Sequence, residues 1–134
     1  MRLSFIVVEN TEIDIYIATE LIRRMIGEAD IETFLTADAA LNYIMLDKAP
    51  KADRHIIMLD LMLPRMNGSS FITLFEELPD EIKDNYQIVI VTSSMNKAEL
   101  ERLSMRRNVE MIIEKPLTRD KFKSFLTQIN VDVN

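Results

Sequence analysis

Cysteine does not occur anywhere in the 134 residues. No disulfide can form and no thiolate can bind a metal, which fits the cytoplasm. No apolar stretch approaches the roughly 20 residues that span a bilayer, so no membrane role is expected. The N-terminal Met1-Arg2-Leu3-Ser4 runs straight into an apolar segment, without a small-residue cleavage site, and is read as carrying no signal peptide. Glycine occurs twice and proline four times, and no Pro/Gly/Ser linker, repeat or low-complexity tract divides the chain. Basic residues are in deficit. The net charge of −6 argues against nonspecific nucleic-acid binding, which depends on neutralising phosphates. The small cluster Arg102, Arg106 and Arg107 reads as a solvated helix end that complements the helix dipole. His55 is the sole histidine. It is read as a loop or strand-start residue and not as a phosphocarrier.

What is present is one domain's worth of chain, with 48% apolar residues, long enough to bury one core. The nine methionines read as core filler. Apolar runs of strand length alternate with stretches of helical period, the pattern of a parallel sheet covered on both faces. Strands are expected near 3–8, 31–35, 56–60, 88–92 and 110–113. The first helix should start after Thr11, with Asp14 closing a capping box and Ile13, Ile17, Leu21, Ile22, Met25 and Ile26 facing inward. A second, about 37–47, should bury Ala40, Leu41, Ile44 and Met45. A third, from about Ser69, should bury Phe71, Ile72, Leu74 and Phe75 and end by Pro79. The charged stretch 79–85 has room for a helical turn. A fourth helix, about 95–105, carries Leu100, Leu103 and Met105. A fifth, capped by Thr118, should bury Phe122, Phe125, Leu126 and Ile129. Five βα units predict an α/β fold: a doubly wound five-stranded parallel sheet in the flavodoxin-like order 2-1-3-4-5.

Four of the apolar runs end in polar residues. Ile56-Ile57-Met58-Leu59 ends in Asp60, followed by the Pro/Gly loop Leu61-Met62-Leu63-Pro64-Arg65-Met66-Asn67-Gly68. The others end in Glu9-Asn10, in Thr92-Ser93-Ser94 and in Glu114-Lys115-Pro116. In open α/β sheets ligands bind beyond the carboxyl ends of the strands, and the switch point between the first and third strands brings Glu9, Asn10 and Asp60 together. Oxygen ligands beside an Asp suit Mg²⁺, which takes one or two carboxylates, waters and phosphate oxygens. Asp60 could then attack a phosphoryl group in line, with Lys115 as a mobile cation for phosphate oxygens and Thr92 as a hydroxyl donor. Each residue also has an ordinary reading: Asp60 as a turn former, Glu9 and Asn10 as partners of a helix dipole, Thr92 as a cap, and Lys115 as a surface cation.

With these segments in place the chain resembles the receiver domain of two-component response regulators, of the stand-alone, chemotaxis-regulator type. The resemblance rests on Ile6-Val7-Val8-Glu9-Asn10, Leu59-Asp60-Leu61-Met62-Leu63-Pro64 with Met66-Asn67-Gly68, Ile90-Val91-Thr92-Ser93-Ser94, and Glu114-Lys115-Pro116-Leu117, and it covers essentially the whole chain. It implies that Asp60 is the phosphoacceptor. It implies that Glu9, Asn10, Asp60 and the Met62 backbone carbonyl bind Mg²⁺, that Thr92 is the switch hydroxyl, that Lys115 contacts the phosphoryl group, and that the peptide before Pro116 is cis. It further implies a sensor histidine kinase or phosphotransfer protein as phosphodonor. The downstream protein would be met on the face of the fourth helix, fifth strand and fifth helix, where Leu100, Arg102, Arg106 and Lys121 are candidate contacts. Homodimerisation is a further option. Direct nucleic-acid contact is not expected, because the chain ends after the fifth helix without room for an output domain.

Two departures stand out. Asn10 replaces the usual second carboxylate and should weaken Mg²⁺ binding. Ile112 replaces the aromatic often found three residues before the lysine, so no polar-tipped ring can swing there. Met62 and Ser94, two residues after Asp60 and Thr92, occupy positions that tune dephosphorylation in the family. Met62 cannot orient an attacking water, so self-dephosphorylation is expected to be slow; a phosphorylated lifetime of seconds would contradict this. An Asp-nucleophile phosphatase is disfavoured, because its general acid would stand where Met62 is. A phosphorylation-independent interaction module with a decayed metal site is the reading that Asn10 motivates.

Overall fold

The computed structural model describes residues 1–133. Five strands, β1 (Leu3–Val8), β2 (Asp30–Phe34), β3 (Arg54–Leu59), β4 (Tyr86–Thr92) and β5 (Val109–Glu114), form one sheet in the order β2-β1-β3-β4-β5. Every pair is parallel. The fold is therefore the expected doubly wound, flavodoxin-like one. Five helices lie between the strands, α1 (Glu12–Ile26), α2 (Ala37–Met45), α3 (Gly68–Glu76), α4 (Asp80–Lys83) and α5 (Lys97–Ser104), and a sixth, α6 (Arg119–Gln128), follows β5. The charged stretch after Pro79 holds the short α4, so the predicted fourth and fifth helices are α5 and α6.

The sheet order follows from which strands are apolar on both faces. All six residues of β1 are buried, as are Ile56–Leu59 of β3 and Ile88–Thr92 of β4. Successive side chains of a strand point to opposite faces. Ile6, Val8, Ile57, Leu59, Ile88 and Ile90 pack with Ala40, Ile44, Phe71, Phe75 and Leu103 from α2, α3 and α5. Phe5, Val7, Ile56, Met58, Val89 and Val91 pack with Ala18, Ile22, Met25, Phe122, Phe125 and Leu126 from α1 and α6. The edge strands β2 and β5 are only partly buried and carry acidic residues.

The caps explain where the helices start. Thr11, Thr36, Asn67, Asn96 and Thr118 each accept a hydrogen bond from a backbone N–H in the first turn of the next helix. At Thr11 the predicted capping box is altered: the Thr11 hydroxyl donates to the Asp14 carboxylate at 2.7 Å.

Three inward assignments are corrected. Ile13 is 64% exposed, Met45 49% and Leu74 37%. At about 100° per residue Ile13 lies about 140° from Ala18, which is buried in its place. Met45 lies about 100° from Ile44, and Leu74 lies at the margin of the stripe made by Phe71, Ile72 and Phe75. The basic cluster is corrected in part. Arg102 is exposed in the last turn of α5, as expected of a solvated helix end, whereas Arg106 and Arg107 lie beyond that helix. Arg106 pairs with Glu76 of α3, and Arg107 with Asp84 just after α4, at 2.8 Å.

Candidate functional site

Register brings the strand ends together. Val8 of β1 pairs with Leu59 of β3, and the Asp60 N–H donates to the Val8 carbonyl at 3.1 Å. Glu9 and Asp60 therefore leave adjacent central strands side by side. Across the sheet, Thr92 pairs with Glu114, and the Lys115 N–H donates to the Thr92 carbonyl at 2.9 Å. Glu9, Asp60 and Thr92 are all buried, at 4%, 3% and 1% exposure. The peptide between Lys115 and Pro116 is cis.

The loop after Asp60 is folded back on itself. The Met62 N–H donates to Asp60 Oδ1 at 3.1 Å, the Gly68 N–H donates to the Leu61 carbonyl at 3.0 Å, and Arg65 sits at φ 64°. Gly68 is the tightest point. A Cβ there would lie 2.7 Å from the Asp60 carbonyl oxygen and 2.8 Å from Leu61 Cα. Only glycine lets α3 start this close to the strand end.

Lys115 gathers the site. Its ammonium donates to Asp14 Oδ2 at 2.8 Å, to Glu9 at 3.1 Å and to Asp60 Oδ2 at 3.4 Å. Burial, with Asp60 next to it, pushes the Glu9 carboxyl up to about 8. Burial opposes ionisation at Asp14 as well, but hydrogen bonds from Lys115 and Thr11 outweigh it and hold that carboxyl below its ordinary range. Burial likewise opposes charge on Lys115, and the three carboxylates overcome it and raise the ammonium above its usual value.

The remaining sequence candidates lie around this centre. Asn10 is exposed. The Met62 side chain is 59% exposed, with its sulfur 3.6 Å from the Ser93 hydroxyl. The Ser94 N–H donates to Thr92 Oγ1 at 3.2 Å. Ile112 is half-buried and lines a groove of about 270 Å³ with Thr92, Ser94, Met95 and Leu100. On the expected output face, Arg106 and Lys121 have internal partners. Arg106 Nε donates to Glu76 at 2.9 Å, and Lys121 donates to the Glu114 carbonyl at 2.7 Å.

Asp14 is the residue that sequence reasoning misses. It reads as a cap, and it is one, but the same oxygen that accepts from Thr11 also accepts from Lys115. The available signal is its place in the first turn of the helix that directly follows a strand-end acid.

The sequence matches the response regulator receiver domain family over residues 6–127. The chain belongs to that family. Receiver domains are the signalling domains of two-component systems. Solved receivers share the fold. A response regulator receiver protein from Dyadobacter fermentans superposes with a TM-score of 0.80 at 19% identity, covering 97% of this chain and 99% of that one. A two-component response regulator from Cytophaga hutchinsonii gives 0.79 at 22%, covering 96% and 97%. The receiver domain of a sensor histidine kinase from Pseudomonas aeruginosa, with magnesium coordinated in its active-site cleft, gives 0.73 at 16%, covering 95% and 97%. No curated protein matches the sequence. Among the described residues no helix is long and apolar enough to cross a membrane.

Proposed function

We propose that Asp60 accepts a phosphoryl group from the phosphohistidine of a sensor histidine kinase or phosphotransfer protein. The observation that carries this reading is the contact of one ammonium, Lys115, with both Asp60 and Glu9 at the ends of two adjacent central strands. In the transfer, an Asp60 carboxylate oxygen bonds to phosphorus as the P–N bond of the donor breaks. The histidine nitrogen keeps the electron pair. Asp60 is well placed as nucleophile, because the Met62 N–H orients its other oxygen. Lys115 can turn from Asp60 to a phosphoryl oxygen, and Thr92 can donate its hydroxyl to another. These are positioning and charge-neutralising roles, the ones phosphoryl transfer needs most.

The donor set suits a divalent cation. Glu9 and Asp60 are hard oxygen donors that already converge on one positive charge, the Lys115 ammonium. Mg²⁺ typically takes one or two carboxylates and keeps several waters. Glu9, Asp60, the Asn10 side chain and the Met62 carbonyl would hold Mg²⁺, with affinity lowered by the neutral Asn10. Bound there, the ion would neutralise charge on the phosphoryl oxygens.

Phosphorylation adds charge and acceptor oxygens at the strand ends. Movement of Thr92 and Lys115 toward them would bias the α5–β5–α6 region between two arrangements. A downstream protein would read that region, and a second copy of the chain is an alternative reader.

The test is intact-protein mass after incubation with a small phosphodonor, with and without Mg²⁺, for the chain and for Asp60→Asn. A phosphoryl mass gain that needs both Mg²⁺ and Asp60 is expected. No gain at high Mg²⁺ with a competent kinase would favour a phosphorylation-independent interaction module, the reading that the exposed, neutral Asn10 supports.

A further inference from the structure

Three carboxylates meet Lys115, and the shortest contact belongs to the one outside the expected metal site. Asp14 stands 2.8 Å from the ammonium, whereas Asp60 stands 3.4 Å away. Asp14 is itself held in place, because the oxygen facing Lys115 also accepts the Thr11 hydroxyl at the start of α1. The lysine side chain is only 14% exposed, so its charge is answered mainly by these groups.

Charge balance shows why this matters. Even with Glu9 ionised, Glu9 and Asp60 supply at most two negative charges and cannot neutralise both an ammonium and a divalent cation. Asp14 supplies the third. The second acidic position of the strand end is the neutral Asn10, so without Asp14 the ammonium and a divalent ion would compete for the same two carboxylates.

We propose that Asp14 is a positioning residue for Lys115: it draws the ammonium toward α1, leaves Glu9 and Asp60 available to a divalent cation, and so offsets the carboxylate missing at Asn10. This rests on the metal-assisted reading of the site given above. Asp14 acts here through the lysine and not as a ligand of the ion.

The test is a calorimetric Mg²⁺ titration of the unphosphorylated chain, of Asp14→Asn, of Lys115→Met and of the double variant. Asn at 14 keeps a neutral acceptor for Thr11 and Lys115 and keeps its own N–H for the helix cap, so the fold is retained; thermal melts check this. Asp14→Asn should weaken Mg²⁺ binding on the order of tenfold, the scale of one charge interaction lost in a half-screened site. In the Lys115→Met background the same change should cost less than about threefold, since the lysine it positions is gone. Asp14→Glu should recover part of the loss. A metal-free readout accompanies these: the Lys115 side-chain ¹³Cε resonance should shift in Asp14→Asn. An unmoved resonance overturns the proposal. So does an equal loss of Mg²⁺ affinity in both backgrounds, which would make Asp14 a ligand or a through-space charge. Binding that Asp14→Asn leaves unchanged overturns the role of Asp14 alone, whereas no Mg²⁺ binding by the unaltered chain overturns the metal-assisted reading with it.

Discussion

At the scale of single residues, the chain places polar groups where burial costs most, and nearly all are answered. Among the described residues His55 is the exception. Its Nδ1 is buried without a hydrogen-bond partner. The His55 ring, near the start of β3, has its centroid 5.1 Å from that of Tyr86 at the start of β4. Burial lowers its pKa below the ordinary histidine value, and the nearby Asp47 only partly opposes this. A histidine depressed by folding contributes stability above its unfolded pKa, about 6.5. That contribution is lost as pH falls through the lower folded value. Thermal melts of the chain and of His55→Phe, which keeps a ring and cannot titrate, should therefore diverge as pH falls below about 6.5, the unaltered chain losing stability relative to the variant. Identical pH profiles for the two proteins would contradict it. Site residues differ in how readable they are. Asp60 and Lys115 announce themselves, because each closes an apolar run and precedes a proline or a Pro/Gly loop. Asp14 does not, because its meaning depends on a lysine 101 residues away that only the fold brings near.

At the scale of elements, the sequence is most legible where chemistry is local. Caps at Thr11 and Thr118, the β-branched runs of β1, β3 and β4, and the aromatic stripe of α6 all follow from neighbouring residues. The inward face of a helix is less local. Ile13, Met45 and Leu74 satisfy an apolar pattern yet sit outward, because the sheet's position decides which part of a broad stripe is covered. The junction of β3 and α3 shows how one element sets another. The Gly68 position touches the backbone of Asp60 and Leu61 so closely that a methyl group must displace one of them. Gly68→Ala should cost about 1–3 kcal/mol of stability, the usual penalty for overpacking. It should also slow phosphorylation by the small donor, since it moves the Asp60 loop. Urea unfolding and the mass assay would measure both. An unchanged unfolding midpoint would mean that the loop yields freely.

At the scale of the whole molecule, the sheet separates the site of proposed chemistry from the proposed output. β3 lies in the middle of the sheet between β1 and β4, whereas β5 is an edge strand with β4 as its one neighbour in the sheet. Local opening is easiest where few contacts must break. In hydrogen exchange, the Ile56–Leu59 amides should be among the slowest and those of β5 faster. Phosphorylation should change protection in α5, β5 and α6 more than in β3. Changes confined to the loop after Asp60 would argue against output through that face.

That arrangement also sets the compliance of the molecule. The carboxylate proposed to receive the phosphoryl group follows the central strand, which is paired on both sides. Displacement caused by the new charge would be resisted there. It would be expressed instead in the less tightly held parts: the Thr92 loop, the Lys115 turn and the edge beyond them. A firm mount with a yielding rim would turn a change at one oxygen atom into movement at a surface.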